Sequence, residues 1–351
     1  MSDLSPALSS LLLRFKEGKI PALARAISVV EDEREGFQDF LHNVLTAAPM
    51  ARRVGFTGPP GAGKSSLVAT VAGTFRQREE RVAVAAVDPT SPYSGGALLG
   101  DRIRMNELAT DPGMFIRSMA TRGSLGGLAT TTKEVVDLID VFGFEHVIIE
   151  TVGVGQTELD VTAAADTVVV VLVPESGDGI QAMKAGLMEI ADIFVVNKAD
   201  RPGAGRLVKE IRQAIHLRTG RGLQDTPAHH GVDLGRVMKK ERTEDAPPPE
   251  HDGWQIPVLS TVAQNGEGVP ELLEAIASHR TWLEGSGELE VRRRARARNR
   301  VRDVVDRELR RVAWSSPEVA DCLEAGLDGI QGGGQTPYSV AAVILDVLLG
   351  S

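Results

Sequence analysis

Apolar residues recur along the chain at two different spacings. In the first fifty positions Leu8, Leu11, Leu12 and Phe15 share one helical face. Pro21 then opens a second helix that carries Leu23, Ala24, Ile27 and Val30, continues through Phe37, Phe40, Leu41 and Val44, and stops near Pro49. From Arg53 the spacing changes to short apolar runs separated by helical stretches. The runs are Val54 to Thr57, Val82 to Val87, Met114 to Ser118, His146 to Glu150, Thr167 to Val173, Ile193 to Val196 and Ile256 to Leu259. Most are continuously apolar, as strands buried on both faces of a parallel sheet must be. The pattern predicts an α/β fold with a mostly parallel, doubly wound sheet. After residue 285 helical spacing returns. Val301, Val304, Val305, Leu309 and Val312 form one stripe, and beyond Gly332-Gly333-Gly334 a last apolar helix runs from Val340 to Leu348 and needs a partner, within the chain or from a second copy. The expected division is a helical extension at 1–50, a central domain at 51–284 and a helical arm at 285–351.

Composition narrows the function classes. The 351 residues are 42% hydrophobic and 25% charged, ordinary for a soluble globular chain, and the net charge of -9 argues against a general nucleic-acid binder. Ten arginines between Arg292 and Arg311 suggest the opposite, but Asp303, Asp306 and Glu308 are interleaved with them, so an amphipathic helix docked on another helix is the better reading. Cys322 is the sole cysteine, which excludes an intramolecular disulfide and a cysteine metal cluster. The longest apolar run is too short to span a bilayer and the N-terminus lacks a basic-then-apolar leader, so a cytoplasmic chain without membrane or nucleic-acid partners is expected. Pro247-Pro248-Pro249 marks an exposed excursion at about 225–255, and His229-His230 reads as part of that loop.

The chemistry concentrates where the strands end. Gly58-Pro59-Pro60-Gly61-Ala62-Gly63-Lys64-Ser65 is a complete G-x-x-x-x-G-K-S phosphate loop between a strand and a helix that continues through Ser66. Glycines allow the backbone to turn tightly and approach an anion, Lys64 reaches the β- and γ-phosphates, and the Ser65 hydroxyl binds Mg²⁺. Asn197-Lys198-Ala199-Asp200 follows a later strand as N-K-x-D. A carboxylate at Asp200 accepts the N1 and N2 protons of guanine, which adenine does not offer, so the nucleotide is GTP or GDP. Glu150-Thr151-Val152-Gly153 stands where many GTPases have D-x-x-G, with the acid managing Mg²⁺ and the Gly153 N–H meeting the γ-phosphate. Val154 follows, so the usual water-orienting glutamine is missing and basal hydrolysis should be slow; nearby Gln156 reads equally as catalytic or as a loop residue. Asp88 and Asp101 are further candidates for Mg²⁺ or its water ligands, and Arg102, Arg104 and Arg122 could reach phosphate. This is a P-loop NTPase pattern, with Lys64, Asp88, Asp101 and Glu150 as the catalytic set.

Taken in order, G-P-P-G-A-G-K-S, V-D-P-T-S-P-x-x-G-G-A-L-L-G-D-R-x-R-M, T-R-G-S-L-G-G-L-A, E-T-V-G-V-G-Q-T-E, I-Q-A-M-K-A-G-L-M-E-I-A-D and N-K-A-D closely resemble the MeaB/ArgK family of GTPases. The resemblance implies a homodimeric GTPase chaperone that gates cofactor delivery to an adenosylcobalamin-dependent acyl-CoA mutase, most often methylmalonyl-CoA mutase, and protects or reactivates it. It makes the arm at 285–351 a dimerisation arm. Switch I then falls at about Asp88 to Met105 and switch II at Glu150 to Asp160. A third, mutase-facing switch falls at Glu175 to Met188, with Gly177, Asp178, Gln181 and Lys184 as its contact residues and Gly179 where the family commonly has an acid. Val262-Ala263 replaces the usual Ser-Ala of the guanine-contacting loop. Two other readings keep the nucleotide chemistry: an ArgK-like kinase acting on a periplasmic amino-acid-binding protein, and a nickel-insertion GTPase. A cytosolic chain fits the first poorly, and a single cysteine fits the second poorly.

Overall fold

The apolar runs become seven strands of one sheet, seen in a computed structural model whose described residues are 4–46, 50–89, 110–121, 130–151, 161–174, 186–218 and 253–350. The strands are β1 (Arg52–Thr57), β2 (Val82–Pro89), β3 (Met114–Thr121), β4 (His146–Thr151), β5 (Thr167–Leu172), β6 (Ile193–Asn197) and β7 (Val258–Thr261). Their order is β3-β2-β4-β1-β5-β6-β7 and every pairing is parallel, so the fold is the doubly wound α/β sheet that the sequence implies. Among the described helices, α1 (Pro6–Lys16), α2 (Ile20–Glu31), α3 (Phe37–Val44), α5 (Thr130–Val141), α6 (Met188–Ile190) and α7 (Ala204–Arg218) contribute to the core on one face; α4 (Lys64–Gln77) and α8 (Val269–Gly285) cover the other.

Alternation along each strand decides which face a residue serves. Ala83, Ala85, Val147, Ile149, Val168 and Val170 join the core beneath α2 and α5, whereas Val82, Val84, Ile148, Val169 and Val171 join the core beneath α4 and α8. Both sets are fully buried or nearly so, which is why the strands read as continuous apolar runs. The entry to β1 is fixed by a buried ion pair. Asp140 on α5 accepts Arg53 Nε at 2.7 Å and the N–H groups of Met50 and Ala51 at 2.8 and 2.9 Å. Burial alone would lower the Arg53 pKa, but Asp137 and Asp140 outweigh it and hold the guanidinium above its ordinary value.

Two sequence expectations need correction. The single helix expected from Pro21 to Pro49 is two helices. Glu33 and Gly36 adopt left-handed backbones (φ 46° and 78°) across the polar stretch between them, and the resulting turn lays α3 so that Phe40 meets Phe15 edge-on at 6.3 Å. A Cβ on Gly36 would stand 2.8 Å from Leu8 Cδ1. Gly36→Ala is therefore expected to cost about 1–2 kcal/mol, read as a lower denaturant midpoint; an unchanged midpoint would show that the turn does not depend on glycine. The last strand starts at Val258 rather than Ile256, because Pro257 has no N–H to give the ladder, and it extends to Thr261.

Residues 1–292 form one compact unit and 293–351 a second. The second unit holds most of α9 (Glu288–Ser315), then α10 (Pro317–Gln331) and α11 (Pro337–Leu349). Val319, Val340 and Ile344 are its buried centre, and Gly326 lets α11 come close: a Cβ there would lie 2.4 Å from Val340 Cγ1. The last apolar helix thus has its partner in α10. The stripe on α9 is different, since Val301, Val305, Leu309 and Val312 are all exposed. Among the described residues no helix is long and apolar enough to cross a membrane.

Candidate functional site

The chain leaves the central strand β1 through Gly58 and re-enters regular structure at Lys64, the first residue of α4. Gly58 (φ 135°) passes so near β5 that a Cβ would be 2.1 Å from Val171 O, and Gly63 (φ 81°) would place one 2.5 Å from Asn197 Nδ2. Only glycine fits such positions. The loop Gly58–Pro59–Pro60–Gly61–Ala62–Gly63 is thereby wrapped over the amino end of α4, whose dipole favours an anion there. Lys64 is 5% exposed, and its ammonium donates to Gly58 O at 2.7 Å and Pro59 O at 3.0 Å. Its charge already sits inside the loop.

Ser65 faces β4. Its hydroxyl donates to Glu150 Oε1 at 2.6 Å, with both residues buried, and the register of β1 against β4 (Phe56 opposite Glu150) brings the carboxylate to this height. One residue on, Thr151 donates to Thr57 Oγ1 at 3.0 Å and ties the ends of the two strands together. A hydroxyl and a carboxylate side by side are hard oxygen donors, a set that suits Mg²⁺. Asp88 lies at the carboxyl end of β2, opposite Ala120 of β3; its side chain falls outside the described residues, as do Asp101, Gly153, Gly177, Asp178, Gln181 and Lys184.

A cleft opens beside the loop, lined by Gly63, Ser66, Asn197, Lys198, Asp200, Arg201 and Val262 to Gln264. Asn197, at the end of β6 and 2% exposed, joins its walls. Nδ2 donates to Ala62 O at 2.9 Å, and Oδ1 accepts from Thr261 Oγ1 at 3.1 Å and from the Ala263 N–H at 3.2 Å. Lys198 adopts a left-handed backbone (φ 56°) and donates from Nζ to Gly61 O at 3.0 Å. Thus the phosphate loop, the N-K-x-D segment and the Val262–Ala263 loop form one connected site at the carboxyl ends of the strands, where ligands of open α/β sheets bind.

Comparison with known proteins agrees with this geometry. The family model described as "Methylmalonyl Co-A mutase-associated GTPase MeaB" matches residues 23–318. The chain belongs to the MeaB family. Among relatives of this MeaB-family chain, a Pyrococcus horikoshii protein provisionally named a GTPase is 41% identical over 98% of this chain and 99% of its own. GTPase ArgK of Escherichia coli is 33% identical over 81% and 79%, and the mouse mitochondrial methylmalonic aciduria type A homolog is 34% identical over 79% and 64%. A crystal structure titled LAO/AO transport system kinase shares the fold with a TM-score of 0.64 at 24% identity, covering 99% of this chain and 100% of that one.

Several residues of the MeaB-family chain escape a reading by motif. Thr70 and Thr261 hold the cleft loops but sit outside any signature. His279 of α8 is 0% exposed at the amino ends of β5 and β6, 2.9 Å from Thr167 Oγ1 and flanked by the rings of Trp254 and Trp282. Burial lowers its pKa to about 4, so it is neutral, and Asp192 at 3.4 Å is already engaged by Arg292 and the Val168 N–H. Glu80, Glu145 and His146 also cluster at the amino ends of the strands, but His146 is paired with Glu80, stacked on Phe75 and kept below its ordinary pKa by burial. That end of the sheet is structural.

Proposed function

We propose that this chain binds GTP with Mg²⁺, hydrolyses it, and uses the cycle to gate adenosylcobalamin loading of a cobalamin-dependent acyl-CoA mutase and to protect or reactivate that enzyme. The observation that carries the nucleotide half is Asn197, which fastens the phosphate loop to the loop holding Ala263 and leaves Asp200 on the cleft between them. The mutase half is supported by the family description, which names methylmalonyl-CoA mutase.

In this reading Lys64 moves from the loop carbonyls to the β- and γ-phosphates, and the loop N–H groups hold the remaining oxygens. Ser65 and Glu150, with Asp88 and Asp101, would hold Mg²⁺. Bound there, the ion supplies charge neutralisation on the phosphates. Asp200 accepts the N1 and N2 protons of guanine, Asn197 and Lys198 hold the cleft, and Val262–Ala263 closes it over the base. Catalysis is positioning and charge stabilisation. Gly177, Asp178, Gln181 and Lys184 carry the output to the mutase. The protein works in the cytoplasm as a homodimer, with residues 1–50 as a helical extension, 51–284 as the GTPase domain and 285–351 as the dimerisation arm; the exposed α9 stripe of Val301, Val305, Leu309 and Val312 supplies the apolar surface.

Phosphate release measured with and without an acyl-CoA mutase tests the partner. GTP turnover is expected to rise several-fold on adding the cognate enzyme, since Val154 leaves the chain without the usual water-orienting glutamine. No change across a panel of such mutases would overturn the partner assignment and leave the GTPase reading standing.

A further inference from the structure

Ser65 and Glu150 meet across a parting in the sheet. Ser65 is carried by β1 through the phosphate loop and the start of α4, whereas Glu150 belongs to β4. The backbone ladder between β1 and β4 ends at Phe56 opposite Glu150. One residue later the two strands have different companions: Thr57 is paired with Val170 of β5, and Thr151 with Val87 of β2. At this level β1 travels with β5 and β4 with β2. The parting is crossed by side chains, from Ser65 Oγ to Glu150 Oε1 at 2.6 Å and from Thr151 Oγ1 to Thr57 Oγ1 at 3.0 Å, with Phe56 O a further 3.5 Å contact of the Thr151 hydroxyl.

These two bonds differ in what a cation would do to them. Ser65 and Glu150 are the hard oxygen donors that suit Mg²⁺, so the oxygens that now hold each other are the ones an ion would claim. Thr57 and Thr151 are neutral and buried, and neither is among the donors that the site offers. Breaking a bond between two buried hydroxyls costs more than the bond itself contributes, because a polar group would be left short of its partner. The threonine pair is therefore suited to keep β4 against β1 while the pair beside it is re-engaged.

We propose that Thr151, through Thr57, is a positioning residue for the metal side of the site. It sets the spacing of β4 from β1, and so holds the Glu150 carboxylate within reach of Ser65 when that hydroxyl turns to Mg²⁺. The proposal rests on the Mg²⁺ and GTP reading given above and adds to it a pair of residues to which that reading gives no contact with either. Loss of the pair should weaken what the ion contributes to nucleotide binding and leave the contribution of the phosphate loop intact.

Calorimetric titration of the full chain with the non-hydrolysable analogue GMPPNP, in Mg²⁺ and in EDTA, tests it. The wild-type chain should bind more tightly in Mg²⁺. Thr151→Val keeps the β-branched shape that suits a strand and removes the hydroxyl. It should leave the affinity in EDTA unchanged and reduce the gain from Mg²⁺ about tenfold, the size of one lost hydrogen bond. Thr151→Ser keeps the hydroxyl and should recover the gain. Thr57→Val should repeat the loss, and the chain with both valines should lose no more than either single variant, since each cuts the same bond. The double variant leaves neither hydroxyl facing an apolar partner, and it keeps the test available if a single variant does not fold. A Thr151→Val chain with the wild-type gain from Mg²⁺ overturns the positioning role even if its thermal midpoint falls, because a purely structural loss moves stability and not the ion dependence. Equal losses of affinity in Mg²⁺ and in EDTA overturn it too, as do single variants whose losses add. A wild-type chain that binds GMPPNP equally well with and without Mg²⁺ overturns the metal reading and the proposal with it, and one that does not bind GMPPNP overturns the nucleotide reading itself.

Discussion

Lys64→Ala is expected to lower GTP and GDP affinity about a hundredfold or more, to the edge of calorimetric detection, while leaving the apo fold intact. The ammonium is buried in the loop and donates to the carbonyls of Gly58 and Pro59, so its charge already lies within the turn that would receive a phosphate. Removing it leaves the phosphate charge facing neutral backbone in a partly enclosed site. The two carbonyls lose their donor but lie at a loop that water can reach once the side chain is cut back. The thermal midpoint of the apo variant should therefore stay near that of the wild type. Undiminished GTP affinity would remove the basis for the nucleotide assignment.

Acid should destabilise the chain through His279. Its folded-state pKa of about 4 lies below its ordinary value of 6.5, so between those values the unfolded chain binds the proton that the folded chain refuses. Stability from this residue is complete above pH 6.5 and falls as the pH drops toward 4, by about 3 kcal/mol in all. Burial is the main cause. Asp192 and Asp166 oppose it, Arg292 reinforces it, and Thr167 with the rings of Trp254 and Trp282 fills the remaining surroundings. His146 is lowered in the same sense, by burial against the opposition of Glu80 and Glu145, and adds to the loss as the pH falls below its ordinary value. Urea midpoints at a series of pH values, compared with those of His279→Gln, check the assignment. The glutamine chain should show a shallower acid loss; a curve parallel to the wild type would exclude His279 as the source.

The sheet was readable because its inner strands are buried on both sides, which leaves Val168 to Val173 or Ile193 to Val196 no polar position to blur the run. The phosphate loop was readable because Gly58 and Gly63 occupy places where any Cβ meets β5 or Asn197. What escaped depends on pairs far apart in sequence. Thr70 is an unremarkable helix residue until Ala263 arrives beside it, and His279 is one apolar-face position among several until Asp192, Trp254 and Arg292 surround it. The break before α3 escaped for a local reason. Glu33 takes a left-handed backbone without being glycine, and the helical spacing on either side of the turn remains in phase enough to look continuous.

The cleft is also ordered in time. Asn197 reaches back 135 residues to Ala62, and Thr70 waits for a residue 193 positions later. At the usual pace of translation that second interval lasts roughly 10–40 s. A nascent chain therefore possesses its phosphate loop well before it possesses the Val262 to Gln264 wall of the cleft beside it. The cleft is completed late in the chain's own synthesis, when β7 joins the edge of the sheet.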